Sequence, residues 1–78
     1  ENNMAEKVKT CGINKEKGYL YYLNIHGDVY RKTIDKRSEK VLDTNILRES
    51  GYLYFIDREG DVSRAPMVRK EYINVERS

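Results

Sequence analysis

Residues 18–31 read GYLYYLNIHGDVYR, and residues 51–64 read GYLYFIDREGDVSR. The match extends outward, because residues 6–32 align with residues 39–65 at a spacing of 33, and 13 of the 27 aligned positions are identical. A repeat of this length is typical of one supersecondary unit used twice. The chain is therefore interpreted as a duplication.

Each unit is predicted to contain three short strands. The units are residues 6–34 and 39–67, inside a single domain of residues 4–78. The second strands, residues 19–23 and 52–56, are dense in aromatic and branched side chains, which favour a pleated surface. The remaining predicted strands are residues 8–13, 41–47, 28–34 and 61–65, with a last strand at 71–75. Residues 35–40 are predicted to be the linker between the units.

Glycines mark the predicted hairpin turns. Residues 24–28 and 57–61 fit a three-residue loop, which is a type I turn followed by a glycine in the left-handed region. Gly27 and Gly60 are then required by the backbone, because only glycine adopts a positive φ without a Cβ penalty. The turn glycines predicted in this way are Gly18, Gly27, Gly51 and Gly60.

The predicted loop also sets the register of the hairpin. Counting outward from a pairing of Asn24 with Asp28 gives three further pairs: Leu23 with Val29, Tyr22 with Tyr30, and Tyr21 with Arg31. The shared interior is predicted to contain Leu23, Val29, Ile56 and Val62. Each arginine, Arg31 and Arg64, is predicted to lie over its cross-strand tyrosine. The aromatic strands are apolar on both faces and are predicted to be central. Pro66 indicates an edge or a strand end.

Short strands joined by hairpins predict an all-β fold without helix. We expect either a small antiparallel meander barrel or two packed three-stranded sheets, with pseudo-two-fold symmetry between the units. The segments Gly18 to Leu23 and Gly27 to Arg31 resemble the inner hairpin of some β-propeller blades. A blade has four strands and about 40 residues or more, and a propeller has at least four blades. Two units of 33 residues cannot close such a ring, so the resemblance covers one hairpin and implies no function.

Composition restricts the class of protein. The 78 residues are 38% hydrophobic and 36% charged, and the net charge is +2, which suits a soluble module and demands no polyanionic partner. No apolar run approaches the roughly 20 residues of a membrane span, so no membrane partner is expected. A single cysteine, Cys11, and the lack of a signal-like start predict a cytoplasmic location. Residues 1–3, which precede Met4, are interpreted as expression remnants.

The chain is not expected to be an enzyme. Duplication could bring Asp28 and Asp61 together for acid–base chemistry, but an aspartate beside a left-handed glycine is a common structural turn residue. His26 and Cys11 supply at most two ligands, which is fewer than a metal site needs. No glycine-rich phosphate loop occurs. We predict no catalytic residue, no metal and no cofactor.

Tyrosines close to basic residues form the predicted binding surface. Its members are Tyr22, Tyr30, Lys32, Lys36, Arg37 and Phe55. The leading hypothesis is a non-catalytic binding or assembly module that forms a homo-oligomer, or binds a protein partner, through its β surfaces. The alternative is a small β-domain that binds nucleic acid, with bases stacking on the tyrosines for about 1 to 3 kcal/mol each.

Overall fold

The structure, a computed structural model, describes residues 5–67. It is all-β in this range, with six antiparallel strands in two three-stranded sheets and no helix. The strands are β1 Glu6–Lys9, β2 Leu20–Leu23, β3 Asp28–Lys32, β4 Ser38–Asp43, β5 Tyr52–Ile56 and β6 Val62–Pro66. Neither sheet closes into a barrel. The predicted strand at residues 71–75 lies outside the described residues.

The strand order differs from the prediction. One sheet has the order β2-β3-β4 and the other β1-β6-β5. The prediction that the aromatic strands β2 and β5 are central was therefore wrong. They lie at sheet edges because the third strand of each unit pairs on both sides, with its own aromatic strand and with the first strand of the other unit.

The hairpin register is the predicted one. Leu23 pairs with Val29, and Tyr22 pairs with Tyr30. The loop closes with two backbone hydrogen bonds, from Asn24 N–H to the Asp28 carbonyl at 2.8 Å and from Gly27 N–H to the Asn24 carbonyl at 3.1 Å. The short turn thus aligns the strands, as expected of a three-residue loop that ends in a left-handed glycine.

The first strands begin earlier than predicted. They are β1 and β4, whereas the predicted segments were residues 8–13 and 41–47. After Lys9 and Asp43 the chain leaves the sheet, and it then turns at Gly12 and its counterpart Asn45, which take positive φ values of 63° and 64°. The predicted third strand of the first unit, residues 28–34, ran two residues too long, since β3 stops at Lys32, and that of the second unit, residues 61–65, lies one residue before β6. Pro66 is the last residue of β6, in agreement with its prediction as a strand end.

The predicted linker at residues 35–40 is instead part of a third hairpin. Ser38 begins β4, and residues 33–37 form the turn between β3 and β4. Its hydrogen bonds repeat those of the glycine loops: Lys36 N–H donates to the Thr33 carbonyl and Thr33 N–H to the Arg37 carbonyl. Lys36 takes the position of the loop glycine, with φ of 68°.

The core lies between the two sheets and contains the predicted interior residues. Val29 and Val62 are completely buried, and Leu23 and Ile56 are nearly so. Tyr54 and Ile46 complete the buried cluster. Because both hairpins contribute to this cluster, burying its side chains holds the sheets together, at about 1.5 to 3 kcal/mol for each large aliphatic side chain.

The connector that follows each first strand touches the hairpin loop of the other unit. A Cβ placed on Gly60 would lie 2.1 Å from the Ile13 carbonyl oxygen, and one on Gly27 would lie 2.0 Å from the Ile46 carbonyl oxygen. Gly60 has φ of 82° and Gly27 of 87°. These two glycines therefore meet two demands, a left-handed backbone and close contact with a neighbouring chain segment.

Candidate functional site

The outward side of the β2-β3-β4 sheet carries most of the predicted binding residues. We call this surface the aromatic face; it comprises Leu20, Tyr22, Tyr30 and Lys32 of the sheet, with Ile34 and Lys36 of the adjoining turn. Because side chains alternate along β2 and β3, these sheet residues lie on the face opposite to that of the buried Leu23 and Val29. The aromatic face is thus the side of the sheet turned away from the core.

Two tyrosines form the centre of the aromatic face. The rings of Tyr22 and Tyr30 are 6.1 Å apart between centroids and tilted by 31°. Lys32 Nζ lies 5.7 Å from the centroid of the Tyr22 ring. The Tyr22 hydroxyl is hydrogen-bonded to Ser38 Oγ at 3.1 Å. The pair is half-buried, so each ring offers only part of its surface to a ligand.

Apolar side chains at the rim of the aromatic face are much more exposed. Leu20 is 60% exposed and Ile34 is 93% exposed. Both line a shallow depression of about 310 Å³ together with Lys32 and Lys36. A depression with apolar walls and cationic ends can accept an apolar side chain that stands next to a carboxylate.

Two predicted surface residues lie elsewhere. Arg37 lines a separate depression with Tyr19 and Glu39. Phe55 lies on the other sheet, in a depression of about 350 Å³ that it shares with Lys7 and Asp57. The six predicted binding residues therefore do not form one site.

Acidic side chains surround Lys7 at the end of the β1-β6-β5 sheet. This cluster, which we call the acidic corner, comprises Lys7, Asp57, Glu59 and Asp61. Lys7 Nζ is 2.7 Å from Asp61 Oδ2 and 3.7 Å from Asp57 Oδ2, and it also donates to Glu59. These hydrogen bonds, first that of Asp61 and then that of Glu59, raise the pKa of Lys7 above its usual range. A metal ion could bind here only by displacing this ammonium group.

The Asp61 carboxylate has partners on both oxygens. Asp61 Oδ1 accepts hydrogen bonds from the backbone N–H groups of Cys11 and Gly12, each at 2.7 Å. Together with Lys7, these donors lower the pKa of Asp61 to about 2. An acid held ionised in this way fixes the connector onto the loop and is a poor proton donor at neutral pH.

The corresponding corner of the other sheet lacks two of the three carboxylates. Asn24 stands where the second unit has Asp57, and its Oδ1 accepts the N–H groups of His26 and Asp28. His26 is an exposed loop residue. Lys40 lies 4.0 Å from Asp28 Oδ2 and 2.7 Å from Asp43 Oδ1. The loop geometry is retained by a neutral amide, so the negative charge of the acidic corner is not needed for the turn.

Arginine stacks on tyrosine in both sheets, although not as predicted. Arg31 lies over Tyr19, with its guanidinium carbon 3.9 Å from the ring centroid, and Arg64 lies over Tyr52 at 3.8 Å. The predicted cross-strand partner Tyr21 instead accepts a hydrogen bond from Arg31 at 3.3 Å. The stack forms on the tyrosine two residues away, while the cross-strand hydroxyl accepts a hydrogen bond from the same guanidinium group.

These arginines also bind the first strand of the other unit. Arg31 donates to Glu39 of β4 at 2.6 Å, and Arg64 donates to Glu6 of β1 at 2.7 Å. The sequence reasoning missed these ion pairs. The signal was present, since all four side chains belong to the identical positions of the repeat.

Comparison with known proteins adds no relative: the chain matches no protein-family model, no curated protein and no solved structure. Within residues 5–67 there is also no helix with the length and apolar character that crossing a membrane requires.

Proposed function

We propose that the chain is a non-catalytic binding or assembly module, built from a duplicated unit with pseudo-two-fold symmetry, that associates with further copies of itself. The aromatic face is the proposed contact surface. The observation that carries this proposal is the exposure of Leu20 and Ile34 beside a tyrosine pair. Exposed apolar groups that lie together on a small domain usually mark an interface.

Charge favours a second copy as the occupant of the aromatic face. Among residues 5–67, Lys32 and Lys36 form no ion pair within the chain. The acidic corner holds three carboxylates against one ammonium group, and Glu59, whose side chain is 71% exposed, is the one most accessible to another copy. The neighbouring outer surface carries Leu53, which is 56% exposed, and the half-buried Phe55. One copy thus presents the acidic and apolar groups that the aromatic face of another would bind.

Sedimentation tests this association. Wild-type protein is expected to show a weight-average mass that rises between micromolar and millimolar concentration. Ile34→Lys is expected to abolish the rise, because it places a charge among the apolar contacts. The matched control is Ile25→Lys, which alters an isoleucine of the β2–β3 loop that is 80% exposed. A wild-type monomer at every concentration, or an equal effect of both variants, would contradict the proposal.

The tyrosine pair and the nearby lysines Lys32 and Lys36 also support a second candidate function, binding of single-stranded nucleic acid. A stacked base would contact Tyr30 or Tyr22 while Lys32 and Lys36 contact phosphates. Titration of a labelled oligonucleotide at 50 and 200 mM salt tests it. Affinity that falls steeply with salt, and that Lys36→Ala weakens without unfolding the chain, is the expected result for this function. Absence of binding at 50 mM salt removes it.

A further inference from the structure

The first strands of the two units perform the same task in different sheets. In the β1-β6-β5 sheet, Glu6 pairs with Arg64 and Lys7 with Ser63. In the other sheet, Glu39 pairs with Arg31 and Lys40 with Tyr30. These positions correspond at a spacing of 33 residues. Both pairings also shift register at the same place, around Val8 in β1 and around Val41 in β4.

Residues 6–13, which we call the β1 segment, bind the second unit. Glu6 accepts a hydrogen bond from Arg64, and Lys7 donates to Asp61. The backbone N–H groups of Cys11 and Gly12 donate to Asp61, and Ile13 N–H donates to the Gly60 carbonyl at 2.9 Å. The connector that returns to β2, residues 14–18, is exposed throughout. The β1 segment is therefore joined to its own hairpin by a solvent-exposed stretch and is held by contacts on the other.

We infer that the β1 segment is an exchangeable strand, which can leave its own β6 and dock on the β6 of a second copy. The exchanged dimer makes every β1–β6 contact between chains and needs a new conformation only in residues 14–18, the usual requirements for domain swapping. This inference deepens the proposed self-association by adding a second route to it. In the closed monomer a chain's own β1 segment competes with that of a second copy for β6, at an effective concentration of about a millimolar. Exchange is therefore favoured when the internal pairing is weakened.

Charge reversal at the Glu6–Arg64 pair tests the exchange. One variant carries Glu6→Lys and the other carries Arg64→Glu, so each closed monomer places like charges opposite each other across β1 and β6. In a mixed exchanged dimer, both pairs regain opposite charges. We expect the mixture to form a dimer about tenfold more tightly than wild type, measured by sedimentation and native mass spectrometry. The control chain carries both substitutions, restores the attraction internally and is expected not to show this gain.

A disulfide cross-link between two chains tests the exchange independently. In a Cys11→Ser background, one chain carries Glu6→Cys and the other Arg64→Cys, at positions that are Cα partners in the β1–β6 pairing. Oxidation of the mixture is expected to yield a covalent heterodimer. Gain of folded structure on mixing two poorly folded charge variants would also support exchange. Folded charge variants that form no heterodimer, together with no cross-linked heterodimer, would overturn it.

The two routes to association can be separated. Ile34→Lys in both charge variants removes the aromatic-face contact and is expected to leave the heterodimer intact. Loss of the heterodimer in that background overturns exchange and assigns the contact to the aromatic face. A wild-type chain that stays monomeric while the charge variants form a heterodimer would contradict the proposed function and support exchange.

Discussion

The inner sides of the two sheets carry nearly the same residues, whereas most positions on their outer sides differ. Tyr21 and Arg31 on one inner side match Tyr54 and Arg64 on the other. On the outer sides, Tyr30 corresponds to Ser63, which is buried and donates to Asp57 at 2.6 Å. The repeated residues hold the strands together, and the differing residues give one sheet an aromatic surface and the other an acidic one. The difference indicates where a binding function could reside.

The turn glycines also differ in what surrounds them. Gly27 and Gly60 touch the connector from the other unit, while Gly18 and Gly51 have φ of 89° with no atom near a Cβ position. The left-handed conformation is thus common to all four glycines. Only Gly27 and Gly60 also need to lack a Cβ, because a backbone carbonyl oxygen occupies that position.

Alanine substitution at these glycines is expected to have the largest effect on stability. Gly60→Ala should cost about 2 to 5 kcal/mol, from the positive φ and from the overlap with the Ile13 carbonyl. Gly51→Ala is the matched control and should cost only about 1 to 2 kcal/mol, because it meets the conformational term alone. Urea denaturation measures both. Equal costs would show that the connector does not approach Gly60 as described.

Truncation of the two central valines should have the next largest effect. Val29→Ala and Val62→Ala remove completely buried methyl groups and should each cost about 2 to 3 kcal/mol. Val8→Ala, at a side chain that is 36% exposed, is the control and should cost far less. A large difference between the first two variants would mean that the two hairpins do not share one core equally.

The acidic corner should respond to pH. Because the pKa of Asp61 is lowered to about 2 in the folded chain, the unfolded chain binds more protons as the pH falls from about 4 toward 2. Stability from this carboxylate is present above pH 4 and is lost across that window. Asp61→Asn should remove this part of the acid dependence. Denaturation between pH 2 and 6 measures it, and an unchanged pH profile would contradict the assigned hydrogen bonds.

The smallest predicted change is a gain in stability at the third turn. Lys36 has a positive φ, which is strained for a residue with a Cβ, and Lys36→Gly removes that strain. The variant should be more stable by about 0.5 to 1 kcal/mol, because the greater freedom of glycine in the unfolded state offsets part of the gain. Arg37→Gly is the control and should not stabilise. A loss of stability in Lys36→Gly would show that the turn differs from the glycine loops.

Local features of this fold could be predicted from the sequence. The loop from Asn24 to Asp28 determined the register of β2 and β3, since the turn and its neighbours lie within a few residues of each other. The buried residues Val29 and Val62 followed from that register. The turn at Lys36 was missed, because a lysine in the left-handed region leaves no sign in the sequence.

Strand order could not be predicted, because it depends on contacts between residues far apart in the chain. Both faces of the aromatic strands read as apolar, so the pattern did not show which strand would be paired on both sides. The acidic corner was missed for a similar reason, as Lys7 lies 54 residues from Asp61. The identical pair Lys7 and Lys40 was the available signal.

The central claim is that the first strand of each unit completes the sheet of the other. Nuclear Overhauser contacts between neighbouring strands test it most directly. We predict contacts between Lys7 and Ser63 and between Lys40 and Tyr30, and none between residues 6–9 and the aromatic strand at residues 20–23. Contacts that instead place each first strand beside the aromatic strand of its own unit would contradict the account.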